Sequence, residues 1–138
     1  MGLYLCIFDG DEEVDGIEVG SYAEFGTIRE LIRDELEHGQ QGARFPTLQL
    51  HADSDGEWSP SECRVLQQEL QTVISELSRM PSRPAVMPEW KQELVKEQGA
   101  APRNLAECFV DVDGEFLLSR MAALCELAIR KQLPILFQ

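Results

Sequence analysis

The chain is predicted to fold as α+β, a single domain over residues 1–138 in which helices pack on one mixed β-sheet. Three observations carry that prediction. An apolar run of strand length opens the chain, two segments begin with helix capping boxes and continue at helical spacing, and strand-like and helix-like segments alternate to the end. Three-layer α/β is the alternative fold, because periodicity does not decide whether the strands run parallel.

Leu3 to Phe8 is a run of Leu, Tyr, Leu, Cys, Ile and Phe, which suits a buried central strand. Two glycines and five acids between Asp9 and Gly16 break the run. Ile17 and Val19 around Glu18 then suggest a short second strand, with a hairpin-like spacing that makes this part of the sheet antiparallel. Ser21 opens the first helix, since Glu24 stands three residues later and the two can bond reciprocally. Phe25, Ile28, Ile32 and Leu36 recur at helical spacing, Leu31 widens the stripe, and Gly39 ends it.

After a loop over 40–44, Phe45 to Ala52 reads as a strand with Leu48, Leu50 and Ala52 on one face and Gln49, His51 and Asp53 on the other. Ser59-Pro60-Ser61-Glu62 is a second capping box with proline at the first helical position. Leu66, Leu70, Val73, Leu77 and Met80 form its apolar seam as far as Pro81. A proline-rich connector follows, then a short helix from Glu89 to Gln98 that uses Trp90 and Leu94 for packing. Leu105 to Val112 returns to strand character, and Asp113 is placed to cap a last helix whose Leu117, Leu118, Met121, Leu124, Cys125 and Ala128 form a wide apolar stripe. Leu133 to Phe137 reads as a closing strand.

Charge is the unusual property. The chain has 25 acids against 12 Lys and Arg, a formal net charge of −13. Fifteen acids and three bases fall between Met1 and Glu62, whereas the remainder is close to neutral. A field of that sign repels nucleic acid and anionic lipid and speeds encounter with basic partners, so neither nucleic acid nor membrane is expected as a partner. No apolar run approaches the roughly 20 residues that span a bilayer, and the chain is expected to remain in the cytoplasm. Cys6, Cys63, Cys108 and Cys125 stand singly and read as reduced, buried thiols rather than a disulfide or zinc framework. The usual cofactor and hydrolase signatures are absent, so no cofactor and no enzymatic activity are expected.

Two constellations could carry function. His51, Asp53, Asp55 and Glu57 occupy alternate positions, and on a continuous strand they would share one face and could hold a divalent metal for an enzyme; Ser54 and Gly56 favour a turn instead. The acids Asp9, Asp11, Glu12, Glu13 and Asp15 form one group, and Asp53, Asp55 and Glu57 another, each after a predicted strand. If those strands are parallel neighbours, both loops emerge at one edge of the sheet as a single partner-binding surface. Trp58 is either a staple on Cys63 or an aromatic anchor inside that acidic rim. Trp90 is assigned to core or connector packing, and a structural adaptor or homodimer joined through an edge strand is a further alternative.

Phe8-Asp9-Gly10 after the first strand, Arg44-Phe45-Pro46-Thr47, Asp55-Gly56-Glu57-Trp58-Ser59-Pro60 and Asp111-Val112-Asp113-Gly114-Glu115 together resemble an immunity-protein family of bacterial polymorphic toxin systems, the one catalogued as number seventy. The resemblance covers nearly the whole chain. It implies a cytoplasmic antidote that binds a cognate toxin domain, often over its active site; whether the chain is a monomer or homodimer is left open by the sequence. It assigns no contact residues, so those named above rest on charge and predicted exposure.

Overall fold

The structure, a computed structural model, describes residues 2–99 and 101–138. Strand β1 (Gly2–Asp9) turns into β2 (Glu12–Ser21), which leads into helix α1 (Tyr22–Leu36). A one-turn helix α2 (Pro46–Gln49), a two-residue strand β3 (Glu57–Trp58) and helix α3 (Pro60–Leu77) follow. Helix α4 (Glu89–Glu97), helix α5 (Leu117–Lys131) and strand β4 (Ile135–Phe137) complete the chain. The sheet order is β2-β1-β4-β3.

The α+β class is as predicted, but every strand pairing is antiparallel, so the sheet is not mixed. The physical reason is the connection length: β1 and β2 meet in a tight hairpin, and β4 arrives after the last helix to lie between β1 and the short β3. Both predicted capping boxes form, at Ser21 with Glu24 and at Ser59 with Glu62. Helix α5 likewise matches its apolar stripe.

The core lies between one sheet face and the helices. Leu3, Leu5 and Ile7 of β1 and Ile17 and Val19 of β2 meet Phe25 and Ile32 of α1, Leu66, Leu70 and Val73 of α3, and Leu117, Met121 and Leu124 of α5 in one continuous apolar cluster. All four cysteines are free and buried.

Two predicted strands are not strands. Phe45 to Ala52 instead makes the α2 turn, because charged side chains from two helices satisfy its backbone. Glu69 of α3 accepts the amides of Thr47 (3.2 Å) and Leu48 (2.9 Å), while Glu37 accepts those of Arg44 (3.0 Å) and Phe45 (3.1 Å). Arg29 donates to the Leu48 carbonyl. Leu48 and Leu50, expected on one face, part company: Leu48 is buried and Leu50 exposed. Leu105 to Val112 is a 3₁₀ turn at Ala106–Cys108 followed by a single bridge between Val110 and Phe116. There Asp111, fully buried, accepts the amides of Asp113 and Glu115 and pairs with Arg120 at 3.2 Å, closing a tight turn. Asp113 therefore caps nothing; Phe116 occupies the N-cap position of α5. Trp90, assigned to core or connector packing, is 47% exposed and so is no core residue, and Lys91 beside it turns inward.

Candidate functional site

The β1–β2 hairpin gathers the first acidic group. Gly10 takes φ +66°, a conformation open to glycine at the turn, and the second strand is ten residues long rather than short. Glu12, Glu13 and Asp15 therefore belong to a strand and not to a loop. Asp9, Asp11, Glu12, Glu13 and Asp15 are all exposed. Among the described residues the one cation that reaches them is Arg120, 3.9 Å from Asp15. An exposed pair at that distance neutralises little.

Pairing register decides which way each side chain points, since residues opposite one another share a face. Leu5 stands between Ile17 and Phe137, and this row faces the helices. Cys6 stands between Gly16 and Leu136, with Glu57 beyond, and this row faces away. Tyr4 opposite Glu18 and Phe8 opposite Glu13 point the same way as Cys6. Tyr4, Phe8 and Leu136 are half-buried, and none of them joins the core cluster. The outer face of the sheet is thus an apolar strip, Tyr4–Cys6–Phe8 with Leu136, framed by Glu13 and Glu18 on one side and Glu57 on the other.

Gly16 shapes this face. A side chain there would overlap the Tyr4 hydroxyl, so glycine lets the ring lie across β2 and donate a 2.6 Å hydrogen bond to Glu13 Oε1. That bond, followed by burial and by the charge of Glu13, pushes the Tyr4 phenol up to about 12. Burial and then Glu13 also raise the Cys6 thiol, which suits a thiol kept neutral beneath the strip.

The second acidic group lies elsewhere. β3 runs in the same direction as β1, since both are antiparallel to β4, and residues 53–56 precede it. They emerge at the end of the sheet where β1 starts, beside the β3 edge, whereas the hairpin tip is at the end where β1 finishes, beside the β2 edge. The two groups do not merge at one edge. Of the second group only Glu57 shares the outer face; Asp53 and Asp55 are exposed in the loop.

The His51, Asp53, Asp55 and Glu57 row does not form either. His51 stacks on Phe137 with ring centroids 4.2 Å apart and lies 5.3 Å from Trp58, and its Nε2 is 2.9 Å from the Glu57 carbonyl. Among the described residues no three His, Cys, Asp or Glu side chains come together as metal ligands. Trp58 is 1% exposed, packed edge-on against Phe137, and donates from Nε1 to the Thr47 carbonyl. Its ring is a core element and no surface anchor.

Other ionisable groups hold the fold. Lys91 is 3% exposed, and its Nζ reaches the carbonyls of Val19 (2.9 Å) and Val110 (2.6 Å) and the Glu24 carboxylate (3.2 Å). Desolvation lowers its pKa, with Glu24 opposing. A cleft of about 460 Å³ between Ser21–Thr27, Ala85–Lys91 and Cys108–Val110 has this saturated amine in its wall and no catalytic constellation. Three carbonyls of β2 are also occupied, Gly16 by Arg120, Glu18 by the Val112 amide and Val19 by Lys91, and so are not free to accept from an added strand.

Sequence reasoning missed Tyr4, Phe8, Leu136 and Glu18. The signal was present: aliphatic side chains occupy the odd positions of β1 and Tyr, Cys and Phe the even ones, and Glu18 alternates with Ile17 and Val19. Reading the run as buried on both faces hid it. No helix among the described residues is long and apolar enough to cross a membrane.

No curated protein and no solved structure matches the chain. The profile of the family described as Immunity protein 70 matches residues 3–137, which is nearly the full length and is the family that the sequence resembles. The chain belongs to the Immunity protein 70 family.

Proposed function

We propose that the chain binds and blocks the toxin domain made beside it, in the cytoplasm of the bacterium that makes both, and that this toxin is a basic nuclease. The family membership supports an inhibitor that works by binding, without catalysis of its own. The observation that carries the basic partner is the hairpin: Asp9, Asp11, Glu12 and Glu13 are exposed, and among the described residues no cation pairs with them. Carboxylates held in that way can occupy the phosphate-binding surface of a nuclease, and their field accelerates capture.

The test is co-expression. A cell making the neighbouring toxin should survive only when this chain is also made, and a tagged chain should retain the toxin and suppress nucleic-acid cleavage in vitro. Survival with no complex formed, or a retained toxin without nuclease activity, would remove respectively the binding mechanism and the nuclease assignment.

A further inference from the structure

We infer that the toxin contacts the helix-free face of the sheet, where a cationic side chain of the toxin lies on the rings of Tyr4 and Phe8 and pairs with Glu13 and Glu18. This rests on the proposed toxin-binding function and adds to it where the partner sits and what chemistry it presents.

Among the described residues the helices pack on one face of the sheet, and the strip of Tyr4, Phe8 and Leu136 on the other face joins no core cluster. Two features separate it from an ordinary solvated sheet face. A solvated face usually carries polar residues at its outward positions, whereas the central strand here carries Tyr4, Cys6 and Phe8. Each ring also stands opposite a carboxylate, Tyr4 opposite Glu18 and Phe8 opposite Glu13. A ring face attracts a cation lying over it, and a neighbouring carboxylate can bond the same guanidinium or ammonium group.

Charge selects the occupant. Glu13, Glu18 and Glu57 frame the strip, and a second copy docked face to face would set these acids against their own images. Nucleic acid and anionic lipid are repelled for the same reason. What remains is a protein surface with exposed Arg or Lys, the chemistry of the basic toxin above. The hairpin acids at the end of the face then act at long range, while the strip determines how long the complex persists.

The experiment measures dissociation of the toxin domain from the full chain and from three variants. Phe8→Thr removes a ring but keeps a strand-forming residue. Glu18→Lys reverses an exposed charge on the face, and Trp90→Ser removes an exposed aromatic on α4 as a control. Phe8→Thr and Glu18→Lys should each dissociate at least about tenfold faster, with Trp90→Ser unchanged. A thermal melt establishes that Phe8→Thr folds; if it does not, Glu18→Lys decides alone. Parent-like dissociation of Glu18→Lys and of folded Phe8→Thr overturns the docking face while leaving toxin capture standing. A parent chain that captures no toxin overturns the function itself. A parent dimer that Glu18→Lys separates would assign the face to self-association and overturn the inference as well.

Discussion

The Tyr4 hydroxyl donates a 2.6 Å hydrogen bond to Glu13 across a glycine, so the ring of one strand and the carboxylate of the next form a single unit on the outer face of the sheet. The bond to Glu13, burial and the Glu13 charge all favour the neutral phenol, which raises its pKa from 10.0 to about 12. Absorbance titration can follow tyrosine ionisation in a chain with two tyrosines. One should ionise near 12, and Glu13→Gln should return it toward 10. Because the folded value exceeds the unfolded one, the stability from this bond is complete below pH 10 and is lost as pH rises through about 12. A parent in which no tyrosine ionises near 12 would show that the bond does not form.

Glu37 carries an opposite dependence. Burial alone would raise its pKa, but the Gln49 side chain and the Arg44 and Phe45 amides bond its charged form and hold it below 4.5. Its contribution is present above pH 4.5 and is lost as pH falls through the folded value. Glu37→Gln should therefore flatten the acid limb of a urea-midpoint profile; an unchanged limb would assign acid unfolding to other carboxylates.

Glu69→Leu should destabilise the chain by about 3 kcal/mol, since the amides of Thr47 and Leu48 lose their acceptor and the α2 turn has no other local cap. Urea unfolding with an unchanged slope measures it. A loss near zero would mean that water replaces the carboxylate.

Lys91→Met keeps the length of the side chain but strands the Val19 and Val110 carbonyls and the Glu24 carboxylate. The expected cost is about 3–5 kcal/mol, because removing one member of a buried ionic group leaves the rest desolvated. If instead the Met variant matches the parent in urea, the three acceptors have another donor.

The two tryptophans differ in access, 1% for Trp58 against 47% for Trp90. Acrylamide should quench the Trp58→Phe variant strongly and the Trp90→Phe variant weakly. The reverse order would contradict the inward placement of Trp58.

The helices α1, α3 and α5 were legible because their signals are local: a capping box lies within four residues, and the apolar stripe repeats within one helix. The segments misread as strands are fixed by distant groups. Glu69 caps Thr47 and Leu48 from more than twenty residues away, and in the second segment the Val110 carbonyl takes Lys91 and the Val112 amide goes to Glu18, so neither effect has a local pattern. For the site, the acids were visible in composition, but which of them share a face depends on the register of β1 with β2 and β4. That register brought in Tyr4, Phe8 and Glu18, separated Asp53 and Asp55 from the hairpin, and withdrew Trp58 into the core.

The most direct test of the acidic-capture mechanism is the association rate of the toxin domain measured against salt concentration. The comparison is between the parent and a variant carrying Asp9→Asn, Asp11→Asn, Glu12→Gln and Glu18→Gln, all exposed positions. At low salt the parent should associate at least about tenfold faster than the variant, and the two rates should converge as added salt screens the field. Equal rates with equal salt dependence would show that these acids do not guide the encounter.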